Sequence, residues 1–390
     1  MSIKGKSYIV GIYEHPTRLA QDKTVPQLHA EVAKGALEDA GLSKNDIDGY
    51  FCAAGDTPGL GGLSMVDYLG LKVRHIDSTD TGGSSYLLHV GHVAEAIAAG
   101  KCSVALITLA GRPRAEGMAT GTAPRQPGVP MPESGFELPY APATANMYAM
   151  CAMRHMHEYG TTSEQMAWVK VAASHHAQHN PHAMLRDVVT VEDVVNSPMI
   201  ADPLHRLDCC VISDGGGAII MTTPEIAKSL KRPLVKVIGA GEAPKHQMGG
   251  KVDLTYSGAV WSGPAAFAEA GVKPSDMKYA SIYDSFTITV IMQLEDLGFC
   301  EKGQGGRFVS DGNLIAGVGK LPFNTDGGGL CNNHPSNRGG LTKVLEAVRQ
   351  LRGEAHPAVQ VKNCDLALAH GTGGSLGTRH NAATVIMERE

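Results

Sequence analysis

Two stretches of this chain repeat one another: Ala36–Cys52 reads ALEDAGLSKNDIDGYFC and Ala266–Ile282 reads AFAEAGVKPSDMKYASI. Ala40-Gly41 matches Ala270-Gly271, and Asp46-Ile47 matches Asp276-Met277, at one constant offset. The first copy continues a helical pattern over Val25–Ala40 that puts Leu28, Val32, Ala36 and Leu37 on one side, with Gly41 in the stop position. Asp48–Ala53 then reads as a buried strand, as does Ser7–Tyr13 upstream. A second echo pairs CSVALITLAG from Cys102 with CDLALAHGTG from Cys364, each preceded by a helical segment; for the first copy this is Ser84–Ala99. Thr79-Asp80 with Gly82-Gly83 has its counterpart in Thr325–Gly329. Three echoes in one order predict a duplicated βαβαβ half, with strands and helices alternating around a mostly parallel sheet. The repeat is far too long for a solenoid.

The halves are predicted over 1–232 and 233–390, with an insertion at about 112–205 in the first. That insertion starts in Arg112–Pro142, which holds seven prolines and reads as an irregular surface excursion of the kind that carries function. Thr162–His179 is predicted helical, with a hydroxyl cap and Glu164 in its first turn. His175, His176, His179 and His182 share spacing that metals use, but no carboxylate joins them, so a polar, exposed helix end is expected and no metal. Val211–Thr222 (VISDGGGAIIMT) closes the half with a tight glycine turn and a buried strand.

Composition narrows the function. Hydrophobic residues are 43% and charged residues 19% of the 390, which excludes a disordered chain. Net charge is −5, leaving no electrostatic footprint for nucleic acid. No apolar run approaches a membrane span, and the N-terminus has no secretory pattern, so a cytoplasmic location is expected. The eight cysteines are dispersed without a CxxC pair, which argues against a zinc ribbon or a disulfide framework.

The duplicated halves, SDGGGAII from Ser213, YDSF from Tyr283, NHPSNRGG from Asn333 and GTGG from Gly371 together resemble the thiolase superfamily. The stretch Tyr283–Val309 is similar in wording and spacing to the sterol-carrier-protein-linked and lipid-transfer branch. The resemblance covers about Ser7 to Met387. It implies a thiolase fold with five α/β/α/β/α layers, a loop domain over the active site, and a homodimer or homotetramer. It also implies coenzyme A thioesters as substrates, with CoA a substrate moiety and no tightly bound cofactor. Relatives of this branch work with a small OB-fold partner.

Carried over residue by residue, His334 takes the HP position of the HPxGxxG pattern, where a histidine orients the nucleophile and polarises a carbonyl. Asn337 stands where that pattern has glycine. The Gly371–Gly374 run, including Gly373, resembles the loop whose backbone approaches the ligand. The family's nucleophilic cysteine aligns with Asp80 in Thr79–Ser85, and no cysteine lies between Cys52 and Cys102. The family's second thiol falls on Gly371 or on Ser285, depending on the branch. An aspartate at a helix start is a base or a cap rather than an acyl carrier, since its anion is stabilised there. Ser84 and Ser85 read as helix caps. Tyr283 resembles the YD-x-F form of thiolase-like aldolases, and their second tyrosine, near Asn332–Arg338, is absent here.

Breaking a C–C bond beside a thioester requires a base, donors for the thioester oxygen and no acyl-enzyme. The expected activity is therefore formation or cleavage of a C–C bond in a β-oxo- or β-hydroxyacyl-CoA without a cysteine nucleophile, either retro-aldol or acyltransferase-like. The alternative is a non-catalytic or half-active acyl-CoA-binding subunit that needs its partner. Arg112, Arg114, Arg125 and Arg154 are the candidate phosphate contacts.

Overall fold

The structure is a computed structural model that describes residues 2–120, 135, 139, 143–246, 251–335 and 339–390. Its strands are β1 (Ser7–Glu14), β2 (Gly49–Phe51), β3 (His75–Asp77), β4 (Val104–Gly111), β5 (Met199–Ala201), β6 (Leu204–His205), β7 (Gly215–Thr222), β8 (Val235–Lys245), β9 (Tyr279–Ile282), β10 (Leu366–Gly374) and β11 (His380–Arg389). The helices of the first half are α1 (Val25–Ala40), α2 (Gly62–Leu69) and α3 (Ser85–Ala98), followed in the insertion by α4 (Thr144–Tyr159), α5 (Ser163–Ala177) and α6 (Val191–Val195). Beyond them come α7 (Pro224–Ser229), α8 (Ala259–Ala270), α9 (Thr287–Asp296), α10 (Gly305–Val309), α11 (Gly328–Cys331) and α12 (Gly340–Arg352).

Local chemistry explains the boundaries. Helix α1 starts at a reciprocal cap, Thr24 with Gln27, and stops at Gly41 in the left-handed conformation (φ 72°). Its twin α8 stops the same way at Gly271, also at φ 72°. A single 3₁₀ turn follows in each copy, at Lys44–Asp46 and Pro274–Asp276, before β2 and β9. The two copies also pack alike. A Cβ on Gly11 of β1 would meet the Ala36 carbonyl oxygen at 2.3 Å, and one on Gly239 of β8 would meet that of Ala266 at 2.3 Å. Strand β4 begins two residues later than its apolar run, because the Asp48 carboxylate takes the Ser103 and Val104 amides and draws that end out of the ladder.

The strands form one nine-stranded sheet in the order β3-β2-β4-β7-β1-β8-β11-β10-β9. The halves join where Ser7 pairs with Val237. The expectation of a mostly parallel sheet is corrected. Only β2–β3, β2–β4 and β9–β10 run parallel, because β7 returns from the long insertion antiparallel to β4 and β10–β11 is a hairpin. Alternation along β4 sends Ala105, Ile107 and Leu109 to one apolar cluster and Val104 and Leu106 to another. Three large clusters result, beside a small one at Ala20, Leu28 and Ala110, and the three large ones mark three helical layers packed against the two halves of the sheet. Helices α1, α2 and α7 cover the first half's outer face, α3 and α12 fill the middle, and α8 and α9 with α4 and α5 of the insertion cover the second half.

Helix α5 is capped by Thr162 and Gln165. The exposed histidine end expected there is corrected at His176, which is buried and accepts the Ala316 amide on Nε2 at 2.9 Å, while His179 stacks on His356. No helix of the described residues is long and apolar enough to cross a membrane.

Candidate active site

Strand β9 ends at Ile282, and the next residue, Tyr283, turns its ring over the start of α3. A Cβ on Gly83 would lie 2.4 Å from the Tyr283 hydroxyl and 2.4 Å from the Thr372 carbonyl oxygen, so only glycine fits beneath the phenol. That hydroxyl bonds His334 Nε2 at 2.8 Å, with the two rings edge to face at 67°. His334 is fully packed. Burial, partly opposed by Asp284, brings its imidazole down to about 4, so it is neutral at ordinary pH and able to accept a proton.

Three sets of contacts fix the pair. The His334 amide donates to Ser213 Oγ at 2.9 Å, tying the histidine loop to the SDGGG turn. Behind Tyr283, the buried Asp284 carboxylate accepts the Gly329 and Leu330 amides at the start of α11 and Lys343 Nζ of α12 at 2.8 Å. From the other half, Glu14 at the end of β1 receives the side-chain amides of Asn332 and Asn333, together with Arg18 and Arg349. Glu14 is held near 2 against its burial by those two arginines, so it stays an anion.

A cavity of about 200 Å³ opens beside the Tyr283–His334 pair. Gly82 and Gly83 form its first-half wall, and Ser285 and Phe286 continue the second-half wall from Tyr283. Thr372, Gly373 and Gly374 run along its edge. The insertion closes it with Thr144, Ala145 and Tyr148 of α4, and Cys210, just past the insertion, completes that side. A Cβ on Gly373 would meet the Thr81 carbonyl oxygen at 1.7 Å, so the strand lies directly on the α3 entry loop.

The candidate residues therefore divide. Tyr283, Ser285, His334 and Gly373 share the cavity, while Asp80 does not line it. Its carboxylate is exposed and accepts the Gly55 and Gly82 amides at 2.8 and 3.0 Å, as a loop clamp does. Ser84 and Ser85 do not cap α3 as expected: they bond back to Thr81 and Gly82 and lock the turn. Arg112 lines a separate cavity of about 360 Å³ with Asp56 and Pro113. Arg114 reaches the Arg18 carbonyl, and Arg154 pairs with Glu158 along α4. Arg125 and Asn337 lie outside the described residues. Cys331 is buried, with Lys170 Nζ at 3.1 Å from its sulfur.

Tyr148 and Cys210 were not legible as site residues, because only the tertiary fold of the insertion and of the segment after it carries them there. The Cys210 thiol is pushed far up by burial, reinforced by Cys209 and Asp284, and stays protonated. Among the described residues, no group of three or more His, Cys, Asp or Glu side chains is arranged to hold a metal ion.

Comparison with known proteins gives the family. Residues 241–389 match the family described as "Thiolase C-terminal domain-like". The chain is 34% identical to the steroid side-chain-cleaving aldolase of Thermomonospora curvata, over 90% of this chain and 91% of that protein. It is 33% identical to the acetyl-CoA acetyltransferase of Methanothermobacter thermautotrophicus, over 98% and 99% of the two chains. A solved structure described as "Ltp2-ChsH2(DUF35) aldolase" superposes with a TM-score of 0.88 at 31% identity, covering 99% of this chain and 98% of that one. On the duplicated sheet, the His334 loop and relatives that match it nearly end to end, the chain belongs to the thiolase superfamily, in its sterol-carrier-protein-like branch.

Proposed function

We propose that this protein cleaves or forms a C–C bond in a coenzyme A thioester by retro-aldol chemistry, without an acyl-enzyme. The observation that carries the reading is the 2.8 Å Tyr283–His334 pair facing a wall of bare glycine that carries no nucleophilic side chain. Neutral His334 takes the phenolic proton as Tyr283 takes the β-hydroxyl proton of a β-hydroxyacyl-CoA. The Cα–Cβ bond then breaks. Cβ leaves as an aldehyde or ketone, and the electron pair becomes the enolate of the shortened acyl-CoA, which is protonated at Cα. The relatives described as aldolases support this reading.

Acyl transfer, suggested by the acetyltransferase relative, would fall to Cys210, the cysteine in the described cavity lining, whose protonated thiol makes it a poor acyl carrier. A non-catalytic subunit is not favoured, since near-full-length relatives are described as enzymes. A small OB-fold partner belongs to the proposal, because the matching solved structure is described with a second component. So do a cytoplasmic location and a homodimer, the latter supported by exposed Leu60, Leu63 and Tyr68 near the edge strand β3. CoA phosphate contacts by Arg112, Arg114 or Arg154 have no support in the cavity lining.

The test is to incubate the purified protein, alone and with such a partner, with a panel of β-hydroxyacyl-CoA thioesters. The expected products are a free carbonyl compound and a shortened acyl-CoA. No cleavage in any combination, or an acylated cysteine found by mass mapping after turnover, overturns the proposal.

A further inference from the structure

We infer that the insertion supplies the oxyanion site of this reaction: the hydroxyl of Tyr148, in the second turn of α4, donates to the thioester oxygen as the enolate forms. The inference rests on the retro-aldol reading and assigns the half of the chemistry that Tyr283 and His334 leave open. When the Cα–Cβ bond breaks, negative charge appears on the thioester oxygen. A donor must stand there already, in a place from which water is excluded.

Three observations place that donor on α4. First, Tyr148, Thr144 and Ala145 all line the cavity that holds the Tyr283–His334 pair. Second, the Tyr148 hydroxyl is weakly engaged at home. It bonds the Gly374 carbonyl at a long 3.4 Å and also interacts with Ser285, and both of those residues line the same cavity. A proton held by so long a bond turns to a stronger acceptor at little cost. Its ring is fixed, 4.4 Å from that of Phe286 and tilted by 31°, so the hydroxyl is aimed before substrate arrives. Third, α4 begins at the cavity with Ala143, which offers no side-chain cap. Helix geometry leaves the first-turn amides without intrahelical partners, and the positive end of a sixteen-residue helix favours negative charge there.

Burial raises the Tyr148 phenol well above its usual range, with a smaller opposing effect from Ser285. It therefore keeps its proton and acts as a donor, in contrast to Tyr283, whose proton is shared with a neutral imidazole. No atom is transferred by Tyr148. The Cα–Cβ electron pair moves into the enolate, the Tyr148 O–H reorients from the Gly374 carbonyl to the new oxyanion, and it returns when Cα is protonated.

The experiment compares wild type with Tyr148→Phe, which keeps the ring and removes only the hydroxyl. Two readouts are taken, with any partner the wild type needs: steady-state cleavage of a β-hydroxyacyl-CoA, and exchange of Cα hydrogens of the saturated acyl-CoA product for deuterium in D₂O. The expected result is a fall in kcat of about 10²–10³-fold with KM within about threefold, and a parallel fall in exchange. Ser285→Ala, which leaves the phenol in place, is expected to cost about tenfold or less. A Tyr148→Phe protein that exchanges and cleaves within about threefold of wild type overturns the inference. So does one whose only change is a lowered melting temperature or a raised KM. A wild type that neither cleaves nor exchanges sinks the retro-aldol reading itself, which is a different outcome.

Discussion

The two halves meet at the cavity with opposite contributions. From the first half come Gly82 and Gly83, backbone alone, with the Asp80 carboxylate turned outward onto two amides. From the second half come Tyr283, Ser285 and His334, braced by Asp284 and Lys343. Yet the scaffolds are copies down to the Gly11–Ala36 and Gly239–Ala266 close approaches. Duplication has thus preserved helix-on-strand packing, which tolerates only small residues at those points, while the Tyr283–His334 pair has no counterpart at the cavity in the first copy. A glycine wall leaves room for an aromatic hydroxyl where a side-chain nucleophile would stand.

Removing the reactive pair probes the richer side first. Tyr283→Phe and His334→Ala are each expected to lower kcat by about 10²–10⁴-fold in the cleavage assay. Filling the bare side comes next. Gly83→Ala should displace the Tyr283 ring and cost about 10²-fold in turnover, by misplacing a reacting group without deleting one. The bracing is tested by Lys343→Met, which leaves the Asp284 anion buried without its cation. It is expected to cost about 3–5 kcal/mol in urea unfolding.

The pH profile separates the halves further. If the base is the His334 imidazole, brought down to about 4, then kcat/KM holds steady from neutral pH to about 5 and falls as the ring protonates through about 4. An acid limb near 6.5 would mean an ordinary, solvated histidine instead. The smallest effect is expected at the first half's own carboxylate. Asp80→Asn should leave turnover within about threefold and cost about 1 kcal/mol or less in stability, as the loss of a loop clamp.

Much of this was legible beforehand, and the reason is spacing. The helix-glycine-turn-strand grammar of Ala36–Cys52 and Ala266–Ile282 is local, so α1 was read to the residue, β2 was read over its three residues with a margin, and the second copy showed as an echo without bounds of its own. Tyr283 and His334 stood out because each sits in a short motif at the end of such a unit. Strand direction was not local. The antiparallel return of β7 depends on where the insertion delivers the chain, and no pattern within β7 encodes that. For the same reason Tyr148 and Cys210 were invisible: α4 is an ordinary amphipathic helix until it is docked against α9. Glu14 was equally hidden, since its amide partners lie more than three hundred residues away in sequence.

Glu14 has a further bearing on the molecule's history and handling. Because one carboxylate on the opening strand grips the asparagines beside His334, the loop of the proposed base is stitched by the opposite half. An isolated second half, cut before β8 and expressed by itself, would retain Tyr283 and His334 in its sequence and still lack both Tyr148 and the knot that shapes that loop. The ancestral repeats can no longer be parted into working pieces.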